Sequence, residues 1–199
     1  MAGSTLNFDA NKITLNYGWF WWDVAVPSAG ARITLHTDLT PESVANPNAK
    51  HLGHTEEGWN FEAKADREDS FADEQAAPID TAITQLQASL TASLIQTQDI
   101  SGTLRYLTQG FGSYSTAAGY EQITGGIIPI VYGAVALIAP TKTDPTKAII
   151  YNLYKSLNDS GLANQVRRKT KGNNPVAFRG FAITSRAAAD QVFNVWKQI

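Results

Sequence analysis

The sequence predicts a mainly β chain with minor helix, on three observations. Residues 85–94 alternate strictly, with Leu86, Ala88, Leu90, Ala92 and Leu94 apolar and Gln85, Gln87, Ser89, Thr91 and Ser93 polar. A helix would scatter these side chains around its axis, whereas a strand places each set on its own face. In residues 17–27, Trp19, Phe20, Trp21 and Trp22 stand consecutively in a run of strand formers closed by Pro27. Clusters of Gly, Pro, Asn and Ser then break the chain between short apolar runs, as at 27–30, 158–161 and 172–175.

Taken in order, residues 1–16 are polar and weakly alternating, and are expected to form an N-terminal arm that orders against a neighbour or not at all. The aromatic run fits a central strand covered on both faces, or a strand that presents Trp19, Trp21 and Trp22 at a subunit interface. Residues 31–36 alternate as a short strand before a loop rich in Pro and Asn. A glycine turn at 52–58 then leads into a strand on which Trp59, Phe61, Ala63 and Ala65 share one face. An acidic connector over 66–80, carrying Asp66, Glu68, Asp69, Asp73 and Glu74, joins it to the long strand 81–94, so that 52–94 reads as one hairpin. Burying Leu86, Leu90 and Leu94 contributes about 1.5–3 kcal/mol each, and a one-residue slip would expose all three. The polar row from Gln85 to Ser93 carries no charge. It fits a solvated face, or a surface that meets another subunit or lines a channel, where a fixed charge is costly unpaired or grips a polyanion.

Downstream, Thr97 or Asp99 caps a short helix bearing Leu104 and Leu107 and stopped by Gly110. A loop rich in Gly, Ser and Tyr over 110–126 precedes an apolar strand at 127–138, whose Ala134 and Ala136 point to close approach of another layer. Residues 147–157 are strand rather than helix on their β-branched and aromatic content. Turns are expected at 158–161 and 172–175, and a strand at 176–184. Val192, Phe193 and Trp196 fall at helical spacing, as core packing does.

A chain of 199 residues is expected to form a single domain with a sizeable core. The absence of cysteine removes disulfides, thiolate nucleophiles and cysteine-bound metals, and a net charge of −2 leaves no global field for a polyanion. The first residues lack the basic and apolar regions of a signal peptide, and the apolar stretch 127–139, broken by Pro129 and Gly133, is too short to span a bilayer. No phosphate-binding glycine loop, nucleophile elbow or zinc-protease motif occurs. His51 and His54 fall at a turn and make a poor metal site, and Glu56–Glu57 and Asp73–Glu74 read as surface charge. An enzyme is therefore the least supported class, and no cofactor or metal is expected. Arg167, Arg168 and Lys169 belong to the one basic cluster: a solvated loop, a short nucleic-acid patch, or a partner for the acidic connector across a subunit boundary.

The order of segments Val24-Ala25-Val26-Pro27, Leu52-Gly53-His54-Thr55-Glu56-Glu57-Gly58-Trp59, an acidic connector, Pro78-Ile79-Asp80 and a long alternating strand resembles the major tail (tail tube) proteins of long-tailed bacteriophages. Phe178-Arg179-Gly180-Phe181 near the C-terminus is similar to that family too, whereas the tryptophan run and the basic cluster do not map onto its pattern. The resemblance implies a β-sandwich or barrel-type fold with a flanking helix, assembled into stacked hexameric rings whose inner sheets join into one barrel around a lumen that passes DNA. It implies as partners other copies of the chain, the tape measure protein, and the tail terminator and distal tail or baseplate proteins. It also implies assembly in the host bacterial cytoplasm, residence in the virion tail, and no membrane. Carried onto this chain, Gln85, Gln87, Ser89, Thr91 and Ser93 become lumen-facing, and the connector 66–80 becomes a ring-stacking loop, with Asp66, Glu68, Asp69, Asp73 and Glu74 set against Arg167, Arg168 and Lys169. A virion β-sandwich module that binds carbohydrate or a receptor through Trp19, Trp21, Trp22 and Trp59 is the alternative.

Overall fold

A computed structural model describes residues 17–28, 31–70, 80–95, 99–163, 165–167 and 170–199. The N-terminal arm, most of the acidic connector, and Arg168 with Lys169 lie outside the described residues. The chain is mainly β, with an antiparallel sheet as its frame and, among the described residues, one short α-helix. The strands are β1 (Trp19–Trp22), β2 (Lys50–Ser70), β3 (Asp80–Leu94), β4 (Gly112–Ala117), β5 (Tyr120–Gly125), β6 (Gly133–Pro140), β7 (Ala148–Asn158), β8 (Gln165–Arg167), β9 (Thr170–Gly180) and β10 (Phe193–Lys197). The main sheet runs β10-β7-β6-β1-β2-β3-β9-β8. A further pairing of β7 with β9, Ser156 to Gly180 through Asn158 to Phe178, returns the sheet on itself. The path β7-β6-β1-β2-β3-β9 thus closes into a barrel, which removes most free edges.

Both faces of the tryptophan strand are covered, as a central strand requires. Phe20 and Trp22 point into the barrel with Leu52, Leu90, Leu137, Leu153 and Phe178, while Trp19 and Trp21 pack against an outer core of Val24, Ile33, Leu39, Ala136, Ile138 and Ile150. Strand β6 is buried along its whole length because it serves both cores. Its Val135 and Leu137 face inward, and the small Ala134 and Ala136 let the covering segment approach from outside. That segment includes residues 31–36, where the expected strand shrinks to a single bridge from Leu35 to Pro41. Ile33 and Leu39 are buried as cover, with Leu39 in the left-handed region at φ 64°, so the chain crosses the sheet rather than joining it.

A helical turn plugs one end of the barrel. A π-helical turn, Ile100–Leu104, runs into α1 (Arg105–Leu107), and the Asp99 carboxylate accepts from the Gly102 N–H at 2.8 Å, the expected cap. Leu107 is fully buried, and the Thr103 hydroxyl donates to the Leu52 carbonyl at 2.7 Å, tying plug to wall.

Four other expectations change. The loop 110–126 contains the β4–β5 hairpin, joined by Ala118 and Gly119 at φ 51° and 82°, the left-handed pair that a tight two-residue turn needs. The apolar strand begins only at Gly133, because Pro129 interrupts the run and residues 127–132 remain largely exposed. Gly172 to Pro175 lie inside β9, where Pro175 pairs with Ser93 of β3. The C-terminal segment is β10 rather than a helix: the open edge of β7 offers backbone partners from Ile149 to Leu153, and pairing sends Phe193 to the inner core and Trp196 to the outer one.

Candidate functional site

The β2–β3 hairpin is longer than the barrel it helps to build. β1 pairs β2 only over Lys50–His54, and β9 pairs β3 only over Ser89–Leu94. Beyond these contacts the two strands pair with each other alone, out to Ser70 opposite Asp80. Among the described residues, this distal ribbon therefore has both edges unpaired.

Register gives the ribbon two unlike faces. Trp59, Phe61, Ala63 and Ala65 stand opposite Ala92, Leu90, Ala88 and Leu86, so the two apolar sets read from the sequence form one continuous face. Its proximal part enters the barrel, where Phe61 meets Tyr151 and Phe193 with ring centroids 5.1 and 5.2 Å apart. Its distal part is uncovered: Leu86 is 45% exposed and Ile83 66%. The expectation that Leu86 is buried with Leu90 and Leu94 fails because the ribbon has left the core at that point. An irregularity between Asp66 and Arg67, where Gln85 and Ile83 are the successive partners, leaves Thr84 extra and shifts the alternation by one. Ile83 thereby joins Leu86 on the apolar face although their sequence parity differs.

The opposite face holds all five candidate lumen residues. Gln85 and Gln87 are exposed, and Ser89, Thr91 and Ser93 are half-buried. The β3 row is uncharged, but the face is not. Gln85, Gln87, Ser89 and Thr91 stand opposite Asp66, Lys64, Glu62 and Asn60, and Ser89 also pairs with Arg179 of β9. Gln87 donates to the Asp66 carboxylate at 3.1 Å, Lys64 lies 3.8 Å from Asp66, and Arg179 lies 3.1 Å from Asp159. A shallow cavity of about 180 Å³ opens between Glu62, Lys64, Gln87 and Arg179. Glu62 and Lys64 are not singled out by the sequence, and Asp66 is expected there as a ring-stacking residue rather than part of this face, since the shared face follows only from pairing register.

The connector expected at 66–80 begins as strand. Asp66, Glu68 and Asp69 belong to β2, opposite Gln85, Ala82 and Thr81, and the Thr81 hydroxyl donates to Asp69 at 2.7 Å. Asp73 and Glu74 lie outside the described residues, as do Arg168 and Lys169, and Arg167 is described only as backbone in β8. Trp22 is buried against Tyr106 and Phe178, Trp21 lies on His51 at 5.0 Å, Trp19 on His54 at 6.1 Å, and Trp59 on Tyr151 at 4.8 Å. The glycine turn expected at 52–58 is continuous β2, with Gly53 and Gly58 at φ 138° and 97° flanking an irregularity after Thr55. That backbone brings the His51 and His54 rings to 4.8 Å. Burial, and then the neighbouring His54, push the His51 pKa down to about 4. No group of three or more metal-ligating side chains occurs among the described residues, and no described helix is long and apolar enough to cross a membrane. Compared with known proteins, the chain matches no protein-family model, and no curated protein matches it significantly.

Proposed function

We propose that the chain is a tail tube protein: a structural subunit of a phage virion that assembles into stacked hexameric rings and forms the conduit for DNA. The observation that carries this reading is the distal β2–β3 ribbon, with two unpaired edges and an uncovered apolar face at Ile83 and Leu86. Free edges and exposed apolar side chains on one arm favour pairing with further copies, and burying what remains exposed of Leu86 and Ile83 would contribute about 0.7–2 kcal/mol each. The polar face, with its uncharged row from Gln85 to Ser93, is the lumen candidate, because each unpaired cation facing a passing duplex adds affinity that transit must break. The tape measure protein, the terminator and the distal tail or baseplate proteins are the partners that follow from this role, and the virion tail is the location. Trp19, Trp21 and Trp59, which a sugar-binding module would present as a stacking surface, are engaged in packing, so that alternative has no observation in its favour at those three rings.

Negative-stain electron microscopy of the purified chain over a concentration and salt series tests the proposal. Rings or hollow tubes are expected. A monodisperse globule under every condition, including after addition of preformed tail-tip complexes as initiator, would refute it.

A further inference from the structure

A polar cavity of about 540 Å³ lies at the plugged mouth of the barrel, a size and a location typical of small-molecule sites. Trp22 forms part of its lining, α1 supplies Arg105 and Tyr106, and β4 supplies Tyr114. The Arg105 guanidinium stands 4.7 Å from the centroid of the Tyr114 ring and 5.4 Å from that of Tyr106. Tyr114 is itself held, its hydroxyl donating to Glu121 at 3.2 Å. Stacking of this kind covers the guanidinium faces and leaves its N–H edge for a planar acceptor. Lys50 reaches the same cavity because β1–β2 register sets it opposite Trp22.

Neither cation forms an ion pair among the described residues. Asp23, held at φ 55°, supplies a carboxylate of the lining and Glu121 adds another on the Tyr114 hydroxyl, so the charge of Lys50 and Arg105 is partly offset. That balance suits a monoanion better than a dianion. Asp23 and Asn48 add acceptors and a donor to the lining, which an apolar anion would not need. We propose that the cavity binds a monoanionic, hydroxyl-rich ligand, a uronic acid unit of an acidic polysaccharide. Its carboxylate meets Arg105 and Lys50, and its hydroxyls meet Asp23 and Asn48. The site uses none of the ribbon residues, so it stands or falls independently of tube assembly.

Isothermal titration of the full chain with a glucuronate-containing disaccharide tests this, with a neutral glucose disaccharide and inorganic phosphate as parallel titrants. Saturable binding of the uronate is expected, at least tenfold tighter than either comparator. Arg105→Gln should weaken it at least tenfold with an unchanged melting temperature. If that variant melts early, Lys50→Gln replaces it under the same criterion. No uronate binding at millimolar concentration, a preference below tenfold over the neutral sugar, or an unweakened variant would overturn the proposal. Phosphate binding as tightly as the uronate would also overturn it, as a mere anion site.

Discussion

Gly133 is the position at which the packing of the barrel can be tested most sharply. It opens β6 beside β1, and a Cβ built there would lie 2.6 Å from both Cε2 and Cη2 of Trp22, with Cζ2 closer still. The obstacle is a rigid ring that is only 4% exposed, held between Tyr106 and Phe178 at 6.1 and 6.3 Å. Replacing glycine by alanine at an unobstructed site raises stability by about 0.4–1 kcal/mol through the unfolded chain. Overpacking a filled core costs about 1–3 kcal/mol. The clash should win, giving a net loss of about 1–2 kcal/mol and a melting temperature lower by about 2–8 °C for a chain of this size. Gly125→Ala is the control, since its Cβ would meet nothing within 4 Å and its φ is not in the left-handed region; it should be neutral or slightly stabilising. Thermal unfolding followed by far-ultraviolet circular dichroism reads both variants. In a Trp22→Leu background, Gly133→Ala should lose most of its cost, because the ring it strikes is gone. A Gly133→Ala variant as stable as the parent, or one that costs the same with and without Trp22, would refute the packing described here.

Other perturbations probe the remaining parts of the molecule. Folded protein keeps His51 neutral down to about pH 4 while the unfolded chain protonates near 6.5, so the unfolded state takes up its proton first and stability should fall as pH drops between these values; His51→Gln should flatten that slope in denaturant titrations. Asp190 accepts from the Tyr154 hydroxyl and from Arg186, whose guanidinium also donates to the Pro27 carbonyl at 2.8 Å, so Asp190→Asn should cost about 1.5–3 kcal/mol in urea unfolding. Ile83→Lys and Leu86→Lys should leave the circular dichroism spectrum and melting of the isolated chain unchanged but abolish ring or tube formation in electron micrographs, since both side chains are exposed on the ribbon. Gln87→Lys combined with Ser89→Lys should preserve tubes yet slow DNA release from particles, measured by dye uptake after triggering, and normal release would count against the lumen assignment.

What the sequence carried was periodicity, and what it hid was phase and partnership. The alternation in 85–94 and the run Trp59, Phe61, Ala63, Ala65 each define a face, and register places the two faces together as the pattern required. Strand β7 and the close approach at Ala134 and Ala136 were legible for the same reason: side-chain shape there agrees with burial on both sides. Ile83 was not legible, because one extra residue at Thr84 inverts the parity and no residue type announces it. Val192, Phe193 and Trp196 suit a helix as well as two sides of a strand, and only the open edge of β7 decides between them. The β4–β5 hairpin did carry a signal, a two-residue Ala118-Gly119 turn between segments containing Tyr114, Thr116, Tyr120 and Ile123, but its abundant glycine and serine read as loop. The cavity at the barrel mouth draws Lys50, Arg105 and Tyr114 from three separate elements, so no local pattern could assemble it.

The charges sharing the polar face bear directly on its suitability as a conduit. An uncharged strand is not enough if the neighbouring strand supplies cations, and Lys64 and Arg179 do lie beside Gln87 and Ser89. Both, however, have a carboxylate within 4 Å, Asp66 at 3.8 Å and Asp159 at 3.1 Å, while Glu62 and Glu68 leave the face acidic on balance. A cation already neutralised by its own chain offers a passing phosphate less than a free one, because binding must first give up the internal pair. Under the proposed lumen assignment, the ion pairs matter less for stability, where exposed pairs contribute about 0–1 kcal/mol, than for withholding positive charge from the solvent-facing side of the ribbon. Under that assignment, the acidic residues of β2 and the neutral row of β3 serve the same end, and the pairing register is what puts them on one surface.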